Sequence, residues 1–435
     1  MRIVKLTGET KKNILEDLLK RSPSHYGEYE ATVNGIIEQV RARGDQAVFD
    51  YTKQFDKCEL TAENLVVTRA EIEEAYRALD EELIGTMKRS AENIRAYHEK
   101  QVRQSFFATK PDGSILGQRI TPLGRAGVYV PGGKAAYPSS VLMNVVPAKV
   151  AGVAEIIMTT PPGKDGKVNP GTLVAADIAG VDRVYKVGGA QAIAAMAFGT
   201  ESIPKVDKIT GPGNIFVALA KKAVFGYVSI DSVAGPSEIL ILADRYANPR
   251  YAAADLLSQA EHDELASAIL ITDSMELAER VSEEVENFTK QLSREEIIRK
   301  SLDNYGYILV AENMNEAVDA ANDIASEHME ILTRDPFETM TKVKNAGAIF
   351  LGEYSSEPLG DYFAGPNHIL PTNGTAKFFS PLGVDDFIKK TSVISYSREA
   401  LERDHEDIER FAKSEGLTAH ANSVAVRFER ENGQV

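Results

Sequence analysis

Four segments of the chain carry histidine close to an acid or an amide, the side chains that bind metals and transfer protons. They are QAEHD with Gln259 and His262, SEH with Glu327 and His328, GDYFAGPNH with Asp361 and His368, and EGLTAH with Glu415 and His420. Gln259 and His262 are three residues apart, so on a helix their side chains would project from one face. A neutral imidazole, an amide oxygen and a carboxylate can all give lone pairs to a metal.

Each of these residues also has an ordinary structural explanation. His262 could cap the end of an acidic surface helix, and His328 could be a cation favoured by the dipole at a helix end. Asp361 and His368 could belong to turns, and His420 could lie on a frayed tail. Spacing alone does not show that the four segments meet in space.

A dinucleotide site is less clearly indicated, because the sequence has no Gly-x-Gly-x-x-Gly motif. The nearest segment is ITGPGNIFVALA, in which Gly211, Pro212, Gly213 and Asn214 join a strand pattern to a helix pattern. Backbone amides at such a helix start can bind a phosphate. A tight turn with Asn214 as the helix N-cap explains the same residues equally well.

The composition excludes several classes of protein. The formal net charge of −15 argues against a nucleic-acid or acidic-membrane partner, since both need a basic surface. The sequence has no apolar run long enough to span a bilayer and no N-terminal signal-peptide pattern. The one cysteine, Cys58, excludes a disulfide framework and a thiolate metal cluster. We therefore expect a cytoplasmic protein whose metal ligands are His, carboxylate or amide groups.

The pattern of elements predicts an α/β fold with two similar, Rossmann-like parallel-sheet domains. From Gly124 onward, short β-rich runs alternate with alanine-rich helix patterns, which is typical of a parallel sheet covered by helices. The alternation of strand and helix patterns begins again at SEILILAD. Each half contains an Asn-Pro helix start, at Asn169 and at Asn248. The predicted limits are a helical N-terminal region at 1–110, α/β domains at 111–236 and 237–382, and a small C-terminal domain at 383–435.

Two later stretches do not follow this alternation. After Gly352 comes a long segment rich in Gly, Pro, Ser and Asn, and its aromatic residues indicate order and a functional role. The tail that follows it is short and highly charged, with a helix predicted through LERDHEDIERFAKSEG. So small a segment can hardly fold alone, so we expect it to dock on a partner surface.

Several motifs, read together, resemble the histidinol dehydrogenase family. They are GVYVPGG, GGAQAIAA, GPGN, VAGPSEILILAD, QAEHD, SEHMEIL, GDYFAGPNHILPT and EGLTAHANS. The resemblance runs from about Arg125 to Arg427, and the helical N-terminal region also fits the family.

The resemblance implies a zinc-dependent homodimer that oxidises L-histidinol through L-histidinaldehyde to L-histidine and reduces two NAD⁺. This reaction forms the last two steps of histidine biosynthesis. By resemblance, the zinc ligands are Gln259, His262, Asp361 and His420, and the proton-transfer residues are Glu327 and His328. Ser237, His368 and Glu415 line the substrate site with His328 and the four zinc ligands, and Tyr129, Gln191 and Asn214 contact NAD. The C-terminal tail, with Glu415 and His420, is expected to reach the site of the neighbouring subunit.

The implied site also makes chemical sense. A ligand set without thiolate leaves metal positions open for a chelating substrate, which the metal would orient. His328 can take the alcohol proton, and Glu327 can activate the water that hydrates the aldehyde. Cys58 lies in a charged stretch that is expected to be helical, which argues against a thiohemiacetal route. Two alternatives remain at this point: a metal-dependent hydrolase that uses Glu327 as its base, and a non-catalytic protein that binds an amino-acid-like ligand.

Overall fold

The computed structural model describes residues 1–21, 27–132 and 137–429, so Gly133 of the GVYVPGG motif lies outside the described residues. These residues form two compact units. Among the described residues, the larger unit lies within 1–102 and 123–387, and the smaller within 103–122 and 388–429. Among the described residues, no helix is both long and apolar enough to cross a membrane.

The N-terminal region is mainly helical, but it begins with a strand. Its elements are β1 (Arg2–Lys5), α1 (Gly8–Leu19), α2 (Gly27–Arg43), α3 (Asp45–Phe55), α4 (Arg69–Ala78) and α5 (Glu81–His98). β1 is the edge strand of a parallel sheet whose other strands are formed more than 200 residues later. The expectation of helices from the first residue was therefore wrong for β1, because four residues are too few to show a strand period. Ile14 and Leu18 of α1 pack in the core beneath the same sheet.

The first α/β half of the larger unit is a five-stranded parallel sheet with its helices. Its elements are β4 (Arg125–Tyr129), α6 (Pro138–Ala151), β5 (Glu155–Thr159), α7 (Pro170–Ala179), β6 (Arg183–Tyr185), α8 (Gly189–Phe198), β7 (Lys208–Thr210), α9 (Ile215–Val224) and β8 (Ser229–Ile230). The strand order is β6-β5-β4-β7-β8, so the order reverses between β4 and β7. Asn169 caps α7 just before Pro170, as its sequence predicts.

The second half is a six-stranded parallel sheet. Its elements are β9 (Glu238–Ala243), α10 (Pro249–Ala260), β10 (Ser267–Thr272), α11 (Met275–Thr289), α12 (Glu295–Tyr305), β11 (Gly306–Val310), α13 (Met314–Ile324), β12 (His328–Leu332), α14 (Pro336–Met340) and β13 (Ala348–Leu351). The order is β1-β11-β10-β9-β12-β13. Every residue of β9, β10, β11 and β12 is buried, because helices cover both faces of the sheet.

The segment after β13 is irregular but ordered by short helical turns. They are α15 (Glu357–Leu359), a π-helical turn (Gly360–Ala364) and two 3₁₀ turns (Thr375–Lys377 and Val384–Phe387). Buried polar contacts hold this segment: the Asn367 side chain donates to the carbonyl of Met143 at 2.7 Å, and the amide of Gly235 donates to the Thr372 hydroxyl at 2.8 Å.

The smaller unit is an antiparallel three-stranded sheet with two helices. Its elements are β2 (Phe106–Thr109), β3 (Ile115–Pro122), β14 (Ile388–Ser395), α16 (Arg398–Ser414) and α17 (Thr418–Ala425). β14 pairs with β3 along eight residues. The sequence analysis predicted α16 but none of these strands, because IKKTSVIS carries two adjacent lysines and lacks a clear alternation of apolar residues.

Candidate active site

The residues that could take part in chemistry lie close together at the amino-terminal edge of the six-stranded sheet. Glu327 and His328 stand where α13 gives way to β12, after a left-handed turn at Ala325 with φ of 54°. Glu238, the first residue of β9, lies beside them because β9 and β12 are neighbours in the sheet. The irregular segment brings Asp361 and His368 to the same edge.

The surroundings of His328 define its neutral tautomer. The ring is buried, and Nδ1 lies 3.0 Å from the carbonyl oxygen of Glu238. A carbonyl oxygen only accepts hydrogen bonds, so Nδ1 carries the proton and donates. Nε2 is then the basic nitrogen, and it lies 3.4 Å from Oδ1 of Asp361. Nε2 is therefore the nitrogen that gains and loses the second proton of the ring, and it does so opposite Asp361.

Glu327 and His328 form a buried pair with strongly perturbed acidity. Oε2 of Glu327 accepts the backbone N–H of Glu238 at 2.9 Å and lies 3.6 Å from Nδ1 of His328. Burial raises the pKa of Glu327, although the neighbouring His328 opposes this effect. Burial alone would lower the pKa of His328, but the charges of Glu327 and Asp361 outweigh it and raise that pKa. Groups perturbed in this way are typical of acid–base chemistry.

His328, Glu357 and Asp361 form a group that could hold a metal ion, with one donor atom of each within 4.8 Å of the others. Burial raises the pKa of Asp361, but its contact with His328 and the charge of His368 outweigh this effect and lower that pKa to about 2. Burial raises the pKa of Glu357 to about 7. The sequence analysis missed Glu357, since an acid before a proline in a polar loop is not a distinctive signal.

Gln259 provides a separate indication of a bound ligand. Its side chain is fully buried near the end of α10, and neither its amide oxygen nor its amide nitrogen has a hydrogen-bond partner among the described residues. A buried amide without partners costs about 1–3 kcal/mol. An amide oxygen is a suitable zinc ligand, so these residues fit the implied metal.

His262 lies close to Asp361 and His328. It is in the turn after α10 and not on the helix that was expected to carry it. α10 ends at Ala260, and the amide of His262 donates to the carbonyl of Gln259 at 3.2 Å in the following turn. The prediction of a shared helix face was therefore wrong. Although His262 is exposed as a residue, partial desolvation of its ring lowers its pKa, and the charge of Asp361 opposes this shift.

The remaining residues implied for the substrate site are distributed over both units. His368 is held by its Nδ1 donating to the carbonyl of Asp361 at 3.0 Å, and its Nε2 lies 3.3 Å from the Ser140 hydroxyl. Ser237 is partly buried directly before β9. Glu415 and His420 belong to the smaller unit, where both are exposed and line a groove between α16 and α17.

The residues implied for NAD contact lie at the carboxyl edge of the five-stranded sheet. Tyr129 ends β4, Gln191 is in the first turn of α8, and Asn214 precedes α9. Asn214 is the N-cap of α9, since its side chain accepts from the amides of Phe216 and Val217. The buried amide of Gln191, like that of Gln259, has no hydrogen-bond partner in the described part of the chain.

This edge is where the strand order reverses, between β4 and β7, which is the usual place for a ligand in an open parallel sheet. The loop that follows β7 approaches β4 closely. Gly211 has a φ of 119°, and a Cβ there would lie 2.0 Å from the carbonyl oxygen of Tyr129. Only glycine fits this position.

Comparisons with known proteins agree with the motifs. The histidinol dehydrogenase family model matches residues 19–428. The histidinol dehydrogenase of Clostridium acetobutylicum is 56% identical over 413 residues, 95% of each chain. That of Bacillus subtilis is 58% identical over 403 residues, 93% of this chain and 94% of the relative. The crystal structure of histidinol dehydrogenase from Elizabethkingia anophelis superposes with a TM-score of 0.92 at 36% identity over 98% of both chains. With the family model and full-length relatives in agreement, the chain belongs to the histidinol dehydrogenase family.

Proposed function

We propose that this protein oxidises L-histidinol to L-histidine through L-histidinaldehyde and reduces two NAD⁺ in the process. The observation that carries the proposal is the buried pair Glu327–His328, which supplies an acid and a base together. The unpartnered amide of Gln259 adds a ligand position, and its neighbour Ser258 donates to Glu357, a member of the same group as His328, at 3.0 Å. Family membership supports the assignment of the substrate.

Zinc, one ion per subunit, is the metal that we propose for this site. Its ligands are Gln259, His262, Asp361 and His420, of which the last comes from the partner subunit. When bound, zinc orients the substrate through the open positions of its coordination shell. The carboxylate of Asp361 suits this role because its pKa of about 2 keeps it ionised at neutral pH.

His328 is the base for the alcohol. In the neutral ring Nδ1 donates to the carbonyl of Glu238, and Nε2 accepts the hydroxyl proton as hydride leaves the carbon for NAD⁺. This step breaks one O–H and one C–H bond and gives the aldehyde. Although burial alone would lower the pKa of His328, the charges of Glu327 and Asp361 raise it, so a metal held by Asp361 would favour the neutral form by offsetting the carboxylate charge. Ser237, His368 and Glu415 complete the substrate site with His328 and the zinc ligands.

Glu327 serves the second oxidation, which first requires water to be added to the aldehyde. Its buried carboxylate activates that water, and the resulting gem-diol loses the second hydride to give the carboxylic acid. A thiohemiacetal route has no support in the structure. Cys58 is buried in a loop after α3, not in the expected helical context, and packs in the core of the five-stranded sheet.

NAD⁺ binds, in this proposal, at the carboxyl edge of the five-stranded sheet, in contact with Tyr129, Gln191 and Asn214. The unpartnered amide of Gln191 supports this assignment, since a nucleotide would supply its missing hydrogen bonds. The Tyr129 hydroxyl accepts the amide of Gly189 at 3.1 Å, which holds the ring at the start of α8.

The finer layout is also a proposal. The two parallel sheets support two Rossmann-like halves, proposed at 111–236 and 237–382 after a helical region at 1–110, although 103–122 belongs to the smaller unit and β1 to the second sheet. The C-terminal domain 383–435 would exchange between the subunits of a cytoplasmic homodimer and bring Glu415 and His420 to the neighbouring site. No membrane or nucleic-acid partner is proposed for a chain with a net charge of −15.

The test is the growth of NADH absorbance when L-histidinol and NAD⁺ are added to the purified protein. We expect turnover that is lost after dialysis against a chelator and restored by zinc. Full activity of metal-free protein would contradict the metal assignment. A hydrolase would give no NADH, and a binding protein would bind histidinol without turnover.

The division of labour between the two residues can be tested separately. Glu327→Gln should oxidise supplied histidinaldehyde about 10²–10⁴-fold more slowly than the wild type, as is usual when a general base is removed. His328→Ala should slow both oxidations. Aldehyde oxidation at the wild-type rate by Glu327→Gln would refute the role of Glu327.

A further inference from the structure

An arginine from the N-terminal region is buried beside the candidate active site. Arg21 follows α1 and is only 1% exposed. Its Nη2 donates to Oε1 of Glu238 at 2.5 Å, and its Nη1 donates to the carbonyl of Leu265 at 2.8 Å. The guanidinium also lies 5.1 Å from the ring centroid of Tyr305. A charge buried to this extent is costly unless it is paired, so the contact with Glu238 is strongly favoured.

Glu238 in turn contacts both proton-transfer residues through three different groups. Its backbone N–H donates to Oε2 of Glu327 at 2.9 Å, and its own Oε2 accepts the backbone N–H of Glu327 at 3.4 Å. Its carbonyl oxygen accepts from Nδ1 of His328 at 3.0 Å. Glu238 therefore sets the position of the Glu327 carboxylate and the tautomer of His328.

We infer that Arg21 and Glu238 form a positioning pair for the acid–base residues Glu327 and His328. The inference rests on the proposed function and deepens it, since it adds two residues that touch neither substrate nor metal. The guanidinium anchors the Glu238 carboxylate. The carboxylate holds the backbone of Glu327, and the start of β9 thereby presents its N–H and carbonyl groups to Glu327 and His328.

The pair matters because it fixes the side of Glu327 that faces β9, whereas its carbonyl oxygen on the other side accepts the amide of Ala348 at 2.9 Å. β12 begins at His328, so Glu327 precedes the regular ladder and relies on Glu238 for the hydrogen bond to its own amide. Without Arg21, the Glu238 carboxylate would be buried without its counter-ion. It would turn away from Glu327 or take up a proton. Either change moves groups that must be placed within a fraction of an ångström for proton transfer.

Arg21→Met tests the pair, since methionine fills the space of the stem but carries no charge. We expect kcat for both oxidations to fall about 10²-fold, as for a small misplacement of reacting groups, while zinc content and the KM for histidinol stay near wild type. The double variant Arg21→Met/Glu238→Gln removes both charges and keeps an acceptor for the amide of Glu327, so it should regain part of kcat. Arg21→Lys, which retains a cation, provides the comparison if Arg21→Met does not fold.

The matched control is Lys208→Met, which breaks another ion pair of a buried cation. Lys208 contacts Asp386 at 2.8 Å from the amino-terminal end of β7. This variant should lose stability without losing kcat per folded, zinc-loaded site. If Arg21→Met behaves in the same way, the pair is merely structural and the inference is wrong.

A second measurement does not depend on turnover and so separates this inference from the proposed function. In protein with isotope-labelled histidine, the Nδ1–H of His328 should give a hydrogen-bonded proton signal, assigned by its absence in His328→Gln. In Arg21→Met that signal should move and exchange faster with water, because the hydrogen bond to the carbonyl of Glu238 weakens. An unchanged His328 signal in folded Arg21→Met would overturn the inference, even if the wild type proved unable to oxidise histidinol.

Discussion

Two glutamines, Gln191 and Gln259, share an unusual state, because each is buried with an amide that has no hydrogen-bond partner among the described residues. They lie in different halves of the larger unit, at the proposed NAD and zinc positions respectively. A buried polar group without partners destabilises the folded state, and a ligand that pairs with it recovers that cost. Without bound ligands, the protein is therefore less stable than it would be if these two amides had hydrogen-bond partners.

Gln259→Leu should therefore stabilise the metal-free protein while abolishing its response to zinc. Leucine fills a similar volume and has no polar group to satisfy, so we expect a gain of about 1–3 kcal/mol in the free energy of unfolding. Thermal unfolding with and without zinc checks both parts. A metal-free variant that melts below the wild type would contradict the view that this amide awaits a ligand.

Asp56 should make stability depend on pH. Burial raises its pKa from 3.8 to about 6, and its Oδ2 has no hydrogen-bond partner in the described residues. The folded state binds this proton more tightly than the unfolded state, so stability falls as pH rises from about 4 through 6 and stays low above that. Asp56→Asn should thus be more stable than wild type at pH 7, by at most about 3 kcal/mol, and equal to it at pH 4.

Denaturant unfolding at the two pH values measures this effect. Asp50→Asn is the control on α3, because a hydrogen bond from Arg43 lowers the pKa of the exposed Asp50. Asparagine at position 50 should give no gain at pH 7. Equal gains for both variants would show that the stabilisation is unrelated to burial of Asp56.

Individual residues of the site differ in how well the sequence could predict them. His328 and Asp361 stand out because histidine is scarce in this chain. Each of the four histidine segments also contains an acidic residue near its histidine. Three residues of the site could not be predicted from the sequence. Arg21 and Glu238 contact each other across 217 residues, and Glu357 reaches the site through the packing of a loop. Nothing local distinguishes them from ordinary charged residues.

At the scale of elements, buried strands and capped helices were predicted well, and strands with exposed residues were not. β9 to β12 are mainly apolar runs, and Asn169 and Asn248 predict their helices because each caps a helix that starts with proline. The strands that the sequence did not reveal contain exposed residues and lack a clear apolar alternation; they are β1, β2, β3 and β14. Their pairing depends on partners distant in sequence.

The loop between β7 and α9 is held by a buried ion pair. Lys221 contacts Asp231 and donates to the carbonyl of Gly211 at 2.9 Å, while Asp231 accepts the amide of Gly211 at 2.8 Å. Both backbone groups of Gly211 are thereby fixed against β4, next to Tyr129. The pair thus shapes the edge at which we propose that NAD⁺ binds.

Lys221→Met should raise the KM for NAD⁺ about 10-fold or more, because the loop loses its preferred conformation. Zinc content and the KM for histidinol should stay unchanged, since the loop belongs to the five-stranded half and Gln259 to the six-stranded half. Initial rates at varied NAD⁺ and calorimetric binding of NAD⁺ provide the measurement, with Lys208→Met as the control. A normal KM for NAD⁺ in folded Lys221→Met would exclude this role.

At the scale of the whole molecule, the proposed exchange of the C-terminal domain makes each active site a product of two chains. Two inactive variants, His262→Asn and His420→Asn, should then complement each other when their subunits are mixed. In a mixed dimer one site collects both lesions and the other neither, so random assortment returns about a quarter of wild-type activity. Differently tagged subunits verify that mixed dimers form. Mixed dimers without activity would rule out a shared site.

The edge strand β1 has a consequence for how the protein must be made. Lys5 pairs with Val310, so about 300 residues have to leave the ribosome before the first strand finds its neighbour. At ordinary rates of synthesis that wait is about 15–60 s. During it, the five-stranded half can already fold, since its strands are contiguous in the chain, while β1 still lacks its neighbour. The proton-transfer centre forms later still, because Glu327 and His328 follow β11 in the chain and only then join Glu238 and Arg21.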